Sequence, residues 1–293
     1  MLDFVTALWL GFVGACIGSF LNVVAYRMPR GMSVVWKPSH CPKCGHDIRA
    51  RDNLPVLGWL LLRGRCRDCG EPISPRYAIV EGFMGIAFFG LAYIELFSGA
   101  ANLPDALADP VGALDSVVNP NWELLTLYGF HGLLLSLLMA MGLIDQDGQR
   151  IPWSLPLFAG IVVTAGLAYE CWYFYPERTR NIHVWEWKAP FDALFGAMWG
   201  AVAWSIPQLV LRRRSSPAMQ RFLRNAAIAS AVTGAFLGLR PVVRIFGLWL
   251  GGIVAARGLR TTMNVRLSPL LVLWGVTLLH LSLWGRLSDL FSW

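Results

Sequence analysis

Long apolar runs, each interrupted by a polar or proline-bearing turn, recur along the whole chain. They fall over residues 4–26, 77–98, 124–144, 152–174, 191–211, 226–239, 241–256 and 267–285. Most have the length, about 17–25 residues, that a helix needs to cross the hydrocarbon core of a bilayer. The pattern predicts an all-α polytopic membrane protein of about eight transmembrane helices. The sixth and seventh runs are short, and only Arg240 and Pro241 separate them. Proline removes a backbone donor, so this pair reads as two tilted or re-entrant helices or as one kinked segment, which would give seven spans. The first run has no basic segment before it and no small-residue cleavage site after it. It is therefore read as a span, not as a cleaved leader.

Composition agrees with the bilayer as solvent. The chain of 293 residues is 56% hydrophobic and 15% charged, where a soluble protein carries roughly 25% charged residues. Charge then gives an orientation by the positive-inside rule. Arg27, Arg30, Lys37, Lys43, Arg49, Arg51, Arg63, Arg65, Arg67 and Arg76 crowd the connection between the first two runs and make it cytoplasmic. The connection over 99–123 holds Asp105, Asp109, Asp115 and Glu123 with no basic residue, and is placed outside. Arg212, Arg213, Arg214, Arg221 and Arg224, and later Arg257, Arg260 and Arg266, mark two further cytoplasmic turns. Both termini then face outward. The net charge of +7 is accounted for by topology, so a nucleic-acid partner is not expected.

One stretch breaks the apolar pattern. The insert over 27–76 carries Cys41-Pro-Lys-Cys44 and Cys66-Arg-Asp-Cys69, two pairs about twenty residues apart. Two such knuckles present four thiolates to one tetrahedral ion, and Gly45 and Gly70 permit the turn that follows each pair. Disulfides, the competing reading, do not suit a cytoplasmic loop. The expectation is a structural zinc ion on Cys41, Cys44, Cys66 and Cys69, with His40 as an alternative ligand. The insert is too small to form a core unaided, so the metal would supply folding energy. Cys16 and Cys171, in or beside apolar runs, are read as packing residues. Gly11, Gly14, Gly18, Gly196 and Gly200 are expected to let helices approach closely.

The sequence around these cysteines resembles a known family. Gly18-Ser19-Phe20-Leu21-Asn22-Val23-Val24, Tyr26-Arg27-Met28-Pro29-Arg30-Gly31, Pro38-Ser39-His40-Cys41, Asp52-Asn53-Leu54-Pro55-Val56-Leu57-Gly58-Trp59, Arg63-Gly64-Arg65-Cys66, Pro72-Ile73-Ser74, Arg76-Tyr77 and Val80-Glu81 are together similar to the opening of bacterial type IV prepilin peptidases. The likeness covers nearly all of 14–82. It continues more weakly through Phe191-Asp192-Ala193-Leu194-Phe195-Gly196-Ala197, Gly234-Ala235-Phe236-Leu237-Gly238 and Ser268-Pro269-Leu270-Leu271. The resemblance implies an inner-membrane aspartic endopeptidase that removes the leader of type IV prepilins or type II secretion pseudopilins at the cytoplasmic face. In bifunctional members, which carry the cysteine loop, it also implies N-methylation of the exposed residue with S-adenosylmethionine. Residues 1–98 would form an amino-terminal region with two helices and the loop, and 99–293 a peptidase-like helical domain.

Aspartic proteolysis uses two carboxylates that share one proton. Leu143-Ile144-Asp145-Gln146-Asp147, followed by Ile151-Pro152, matches the family's first aspartate motif and implies that Asp145 is catalytic. The second motif, Gly-x-Gly-Asp some eight residues before Gly234, reads here Leu223-Arg224-Asn225-Ala226. Neither glycine nor acid is present, and no Asp or Glu occurs between Asp192 and Asp289. Trp153 also stands where the family often has an acid. Asp147 and Glu81 are weak substitutes, and Asp192 belongs to the opposite membrane face by this topology. Two readings follow: an active peptidase with an unorthodox second group, or an inactive paralogue that binds prepilins or retains only methylation. No glycine-rich cofactor loop is evident. Asp52, Asn53 and Glu81 are therefore the candidates for a methyl-donor site, while Asp47, Asp52, Asp68 and Glu71 offer acidic contacts to a basic leader.

Overall fold

The computed structural model of the chain describes residues 1–36, 38–98, 102, 122–173, 189–211, 215–263 and 267–290. The described residues are helical with no strand; only two isolated β-bridges, His40 to Asp47 and Arg65 to Pro72, occur. The acidic stretch over 103–121, Lys37, the arginines Arg212–Arg214 and Arg266 lie outside the described residues, as does the side chain of Cys171.

In chain order the helices are α1 (Leu2–Arg27), the short α2 (Leu57–Leu61), α3 (Arg76–Leu91, continued by a π-helical turn over Ala92–Phe97), α4 (Trp122–Gln146), α5 (Ser154–Tyr173), α6 (Ala189–Leu211), α7 (Pro217–Leu237), α8 (Leu239–Met263) and α9 (Pro269–Leu290). Among the described residues, five have the length and apolar composition to cross a membrane: Leu2–Arg30, Arg76–Phe97, Leu124–Gln146, Phe191–Val210 and Pro269–Leu287. Ser154–Ala168 is a shorter apolar stretch. The chain is a multi-pass, all-α membrane protein. The sixth and seventh apolar runs are two separate helices, not one kinked segment. They part at Gly238, whose φ of +85° suits glycine, and Pro241 falls in the first turn of α8, where its missing N–H breaks no helical bond.

The chain divides into two compact units, Met1–Ala100 with Ala108–Gly132, and Ala101–Leu107 with Leu133–Trp293. In the first, α1 packs along α3 through glycines. A Cβ on Gly14 would lie 2.6 Å from the Phe88 Cβ, and one on Gly18 2.9 Å from the Glu81 Cα, so side chains there would force the helices apart. The π-helical turn buries Glu95, whose Oε1 lies 2.7 Å from Nδ1 of His131 on α4, both essentially solvent-free. Phe88 and Tyr128 stack edge to face beside them, and the Tyr128 hydroxyl donates to the Phe88 carbonyl.

In the second unit α6 and α7 meet in the same manner. Gly196 and Gly200 approach the Gly234 and Ser230 carbonyls so closely that no Cβ fits. An aromatic cluster of Trp199, Trp204, Phe222, Phe246 and Trp249 fills the space between α6, α7 and α8. At one end of α6, Asp192 accepts from the Leu239 N–H at the turn between α7 and α8.

Candidate functional site

Asp145 occupies the last turn of α4. The helix stops there because Gly148 adopts a left-handed φ of +67°, with its N–H returning to the Asp145 carbonyl and that of Gln149 to Ile144. This closure aims the Asp145 side chain at two neighbours. Oδ1 accepts from Nδ2 of Asn225 at 2.9 Å, and Oδ2 accepts from Oγ of Ser268 at 2.6 Å. Asn225 sits two turns into α7, a helix started by Ser216, whose side chain caps the Met219 N–H, and by Pro217. Ser268 precedes α9 and accepts from the Leu270 N–H, while its own backbone N–H donates to Oε1 of Gln146.

Asn225 is fully buried and fully used. Its second Nδ2 hydrogen goes to the Gln149 carbonyl at 3.0 Å, and its Oδ1 accepts from the Ile151 N–H at 3.1 Å. An aspartate there could accept from Ile151 but could donate only if protonated, and then only once. The amide thus satisfies three partners where a carboxyl satisfies two. Arg224, beside it, reaches the Ile151 carbonyl and lies over the Trp153 ring. Where an acid would follow Ile-Pro in the family's pattern, this chain stacks an arginine on tryptophan.

The other sequence candidates fall elsewhere. Asp147 lies in the turn after α4, with its N–H on the Leu143 carbonyl. Asp192 is placed at the α7–α8 turn, thirteen residues of helix from Asn225, or about 20 Å at the helical rise. Glu81, buried on α3, accepts from the Val56 N–H at 2.7 Å and from Ser19. That bond holds Val56 at a φ of +61°, a conformation a β-branched residue adopts only when its surroundings fix it. Asp52 is clamped bidentately by Arg67, at 2.5 and 2.8 Å, and the same guanidinium hydrogen bonds hold its carboxyl below the usual range. Arg49 pairs with Asp68 at 3.0 Å. Two of the three methyl-donor candidates, Asp52 and Glu81, therefore have structural bonds in the insert; Asn53 lines an adjacent cavity.

The four cysteines come together. Their sulfurs lie within 4.8 Å of one another, with Cys41 and Cys69 at 3.8 Å. Ligands at 2.3 Å from a tetrahedral ion are about 3.8 Å apart, so the set fits zinc. The knuckles are built alike. Cys41 N–H returns to His46 and Cys66 N–H to Glu71, while Gly45 and Gly70 take φ of +74° and +72° over open space. Backbone N–H groups of Cys44 and Lys43 draw the Cys41 thiol down to about 6. Cys69, despite the Glu71 N–H that favours its thiolate, is pushed up to about 12 by desolvation and its three thiol neighbours. His40 bonds the Pro38 carbonyl and is not among the clustered ligands. Cys16, expected as a packing residue, is exposed on α1 and is among the residues lining a cavity beside the insert.

Sequence reasoning missed Asn225 and Ser268 as partners of Asp145. Ser268 opens a stretch that resembles the family and Asn225 lies where the chain departs from the family's pattern, and an amide and a hydroxyl do not look like a dyad in a search for carboxylates. Glu95 and His131 were also missed; the signal was two ionisable residues within apolar spans.

Helices long and apolar enough to cross a bilayer and a four-thiol insert between the first two long ones define a polytopic membrane protein. Residues 12–95 match the model of the Bacterial Peptidase A24 N-terminal domain. The chain is 31% identical to a prepilin leader peptidase/N-methyltransferase of Myxococcus xanthus, over 96% of this chain and 75% of that protein. It is 30% identical to a type 4 prepilin-like proteins leader peptide-processing enzyme of Escherichia coli O78:H11, over 92% and 91%. No solved structure matches the chain. The chain belongs to the prepilin leader peptidase/N-methyltransferase family.

Proposed function

We propose that this protein processes the amino-terminal leader of type IV prepilins or type II secretion pseudopilins at the cytoplasmic face of the bacterial inner membrane, with Asp145 as its working carboxylate. The observation that carries the reading is the placement of Asp145 at the end of α4, both oxygens accepting hydrogen bonds from Asn225 and Ser268. An ionised carboxylate so held can take a proton from an attacking water. The family's membership supports the substrate class, and the basic insert supports the cytoplasmic orientation of 27–76 with both termini outward.

A second reading is favoured by one feature. Asn225 cannot share a proton with Asp145 as a second carboxylate would, which suits a paralogue that binds prepilins, or methylates them, without cleaving. Zinc on Cys41, Cys44, Cys66 and Cys69 would hold the insert in either case, with no part in the chemistry. S-adenosylmethionine would supply an electrophilic methyl group to the substrate amine.

The test is to incubate the purified protein with a prepilin encoded beside it and S-adenosylmethionine, then weigh the product. A shortened product supports leader cleavage; an intact prepilin that co-purifies supports the second reading. A prepilin neither bound nor altered contradicts both.

A further inference from the structure

The short helix α2 (Leu57–Leu61) has two unlike sides. Gly58 lies so close to the Asp52 carbonyl that no Cβ would fit, and Trp59 donates from Nε1 to the Ile73 carbonyl at 3.0 Å while its ring lies against Gly64. These residues hold α2 to the insert. Leu57, Leu60 and Leu61, three and four positions apart and so neighbours on one helix face, are 54%, 55% and 72% exposed. The bond from the Val56 N–H to Glu81, at 2.7 Å, fixes where this face sits. Glu81 belongs to the second turn of the apolar span Arg76–Phe97, about 7.5 Å along the helix from its start. The amino end of α2 is thus moored beside the span itself, not out beyond its end.

We propose that α2 is an interfacial helix, with Leu57, Leu60 and Leu61 resting in the boundary between acyl chains and headgroups and with Arg63 and Arg65 bound to anionic lipid headgroups. A left-handed turn at Arg63 and Gly64, with φ of +51° and +66°, ends α2 and leaves Arg63 and Arg65 exposed directly after its leucines. Charge complementarity selects the partner. Arg49 and Arg67 are neutralised by Asp68 and Asp52, whereas among the described residues Arg63 and Arg65 pair with no acid. An anionic bilayer surface meets both needs at once, since it offers apolar depth to the leucines and phosphates to the guanidiniums on their long stems. A soluble acidic partner would satisfy the arginines and leave three leucines in water; an apolar peptide would do the reverse. The contact would set the height of the four-cysteine knuckles at the membrane surface. It requires neither leader cleavage nor methylation, and only the choice of leaflet rests on the proposed orientation.

The test uses the full-length protein in vesicles of equal parts phosphatidylglycerol and phosphatidylcholine. Leu60→p-benzoylphenylalanine and Leu61→p-benzoylphenylalanine variants are irradiated, and their adducts are identified by mass. The same probe at Ile86, 69% exposed on the α3 span, calibrates lipid capture. Both α2 positions should capture lipid, with phosphatidylglycerol favoured about fivefold, the preference that one basic side chain at a membrane surface confers. Arg63→Gln combined with Arg65→Gln should bring the two lipids toward parity while lipid capture at Leu60 persists and the melting temperature stays unchanged. Capture of protein in place of lipid, whether a second copy of the chain or an added prepilin, would make the leucine face a protein-docking surface and overturn the proposal. So would the absence of lipid adducts at Leu60 and Leu61 when Ile86 yields them. Equal capture of the two lipids with both arginines present would overturn the roles given to Arg63 and Arg65.

Discussion

Asn225 donates to Asp145 at 2.9 Å and simultaneously to the Gln149 carbonyl, so the residue that meets the acid also ties α7 to the turn after α4. That double duty is one an ionised carboxylate could not perform. Asn225→Asp would place a carboxyl against Asp145 and leave Gln149 without its donor, a loss of about 1–3 kcal/mol for an unsatisfied buried group. It would also create a pair able to hold one proton between two acids. The expected outcome is a lower melting temperature together with faster leader removal at mildly acidic pH, measured by thermal unfolding and by product mass. Unchanged cleavage across pH would show that the position carries no proton.

The four-thiol cluster should bind one zinc ion per chain, and Cys69→Ser should abolish tight binding. Metal analysis of the purified variants checks both. The metal-loaded cluster should resist alkylation and the chelator-stripped protein should not. Equal labelling with and without the metal would contradict the assignment.

The Asp52–Arg67 clamp has a defined pH window. The Asp52 carboxyl is held below its ordinary value, so the contribution it makes to the insert is present at neutral pH and disappears as pH falls through the folded value. Asp52→Asn should therefore loosen the insert at pH 7 and make little difference in strong acid, as read by proteolysis between residues 27 and 76.

Glu95 and His131, paired at 2.7 Å in a solvent-free setting, should not tolerate separation. Removing either partner breaks a buried hydrogen bond, a loss of about 1–3 kcal/mol. Glu95→Ala and His131→Ala should each lower stability in detergent sharply, and the double variant should be less damaged than the sum of the two. Additive losses would mean that the residues act independently.

Much of this fold was legible in the chain. The apolar runs located the long helices, and Gly14, Gly18 and Gly196 pointed to close helix contacts that the structure places at α1–α3 and α6–α7. The cysteine spacing anticipated a single four-sulfur cluster because local turns at Gly45 and Gly70 fix each pair. The partners of Asp145 were not legible, since they come from α7 and the start of α9, 80 and 123 residues away, and sequence order gives no distance across such gaps. Counting back from Gly234 sets Ala226 opposite the expected acid. Helical rotation instead turns Asn225, one residue earlier, onto Asp145. Cys16 looked like core because its run is apolar, yet it lies on an exposed face of α1 together with Phe12 and Phe20.

The most direct test of the account compares leader removal from a co-encoded prepilin by the wild-type protein and by Asp145→Ala, with prepilin binding measured for both. The account predicts that the wild type releases the leader, that Asp145→Ala does not, and that both bind. Equal cleavage by the two would contradict it, because the carboxylate held by Asn225 and Ser268 would then have no part in the reaction.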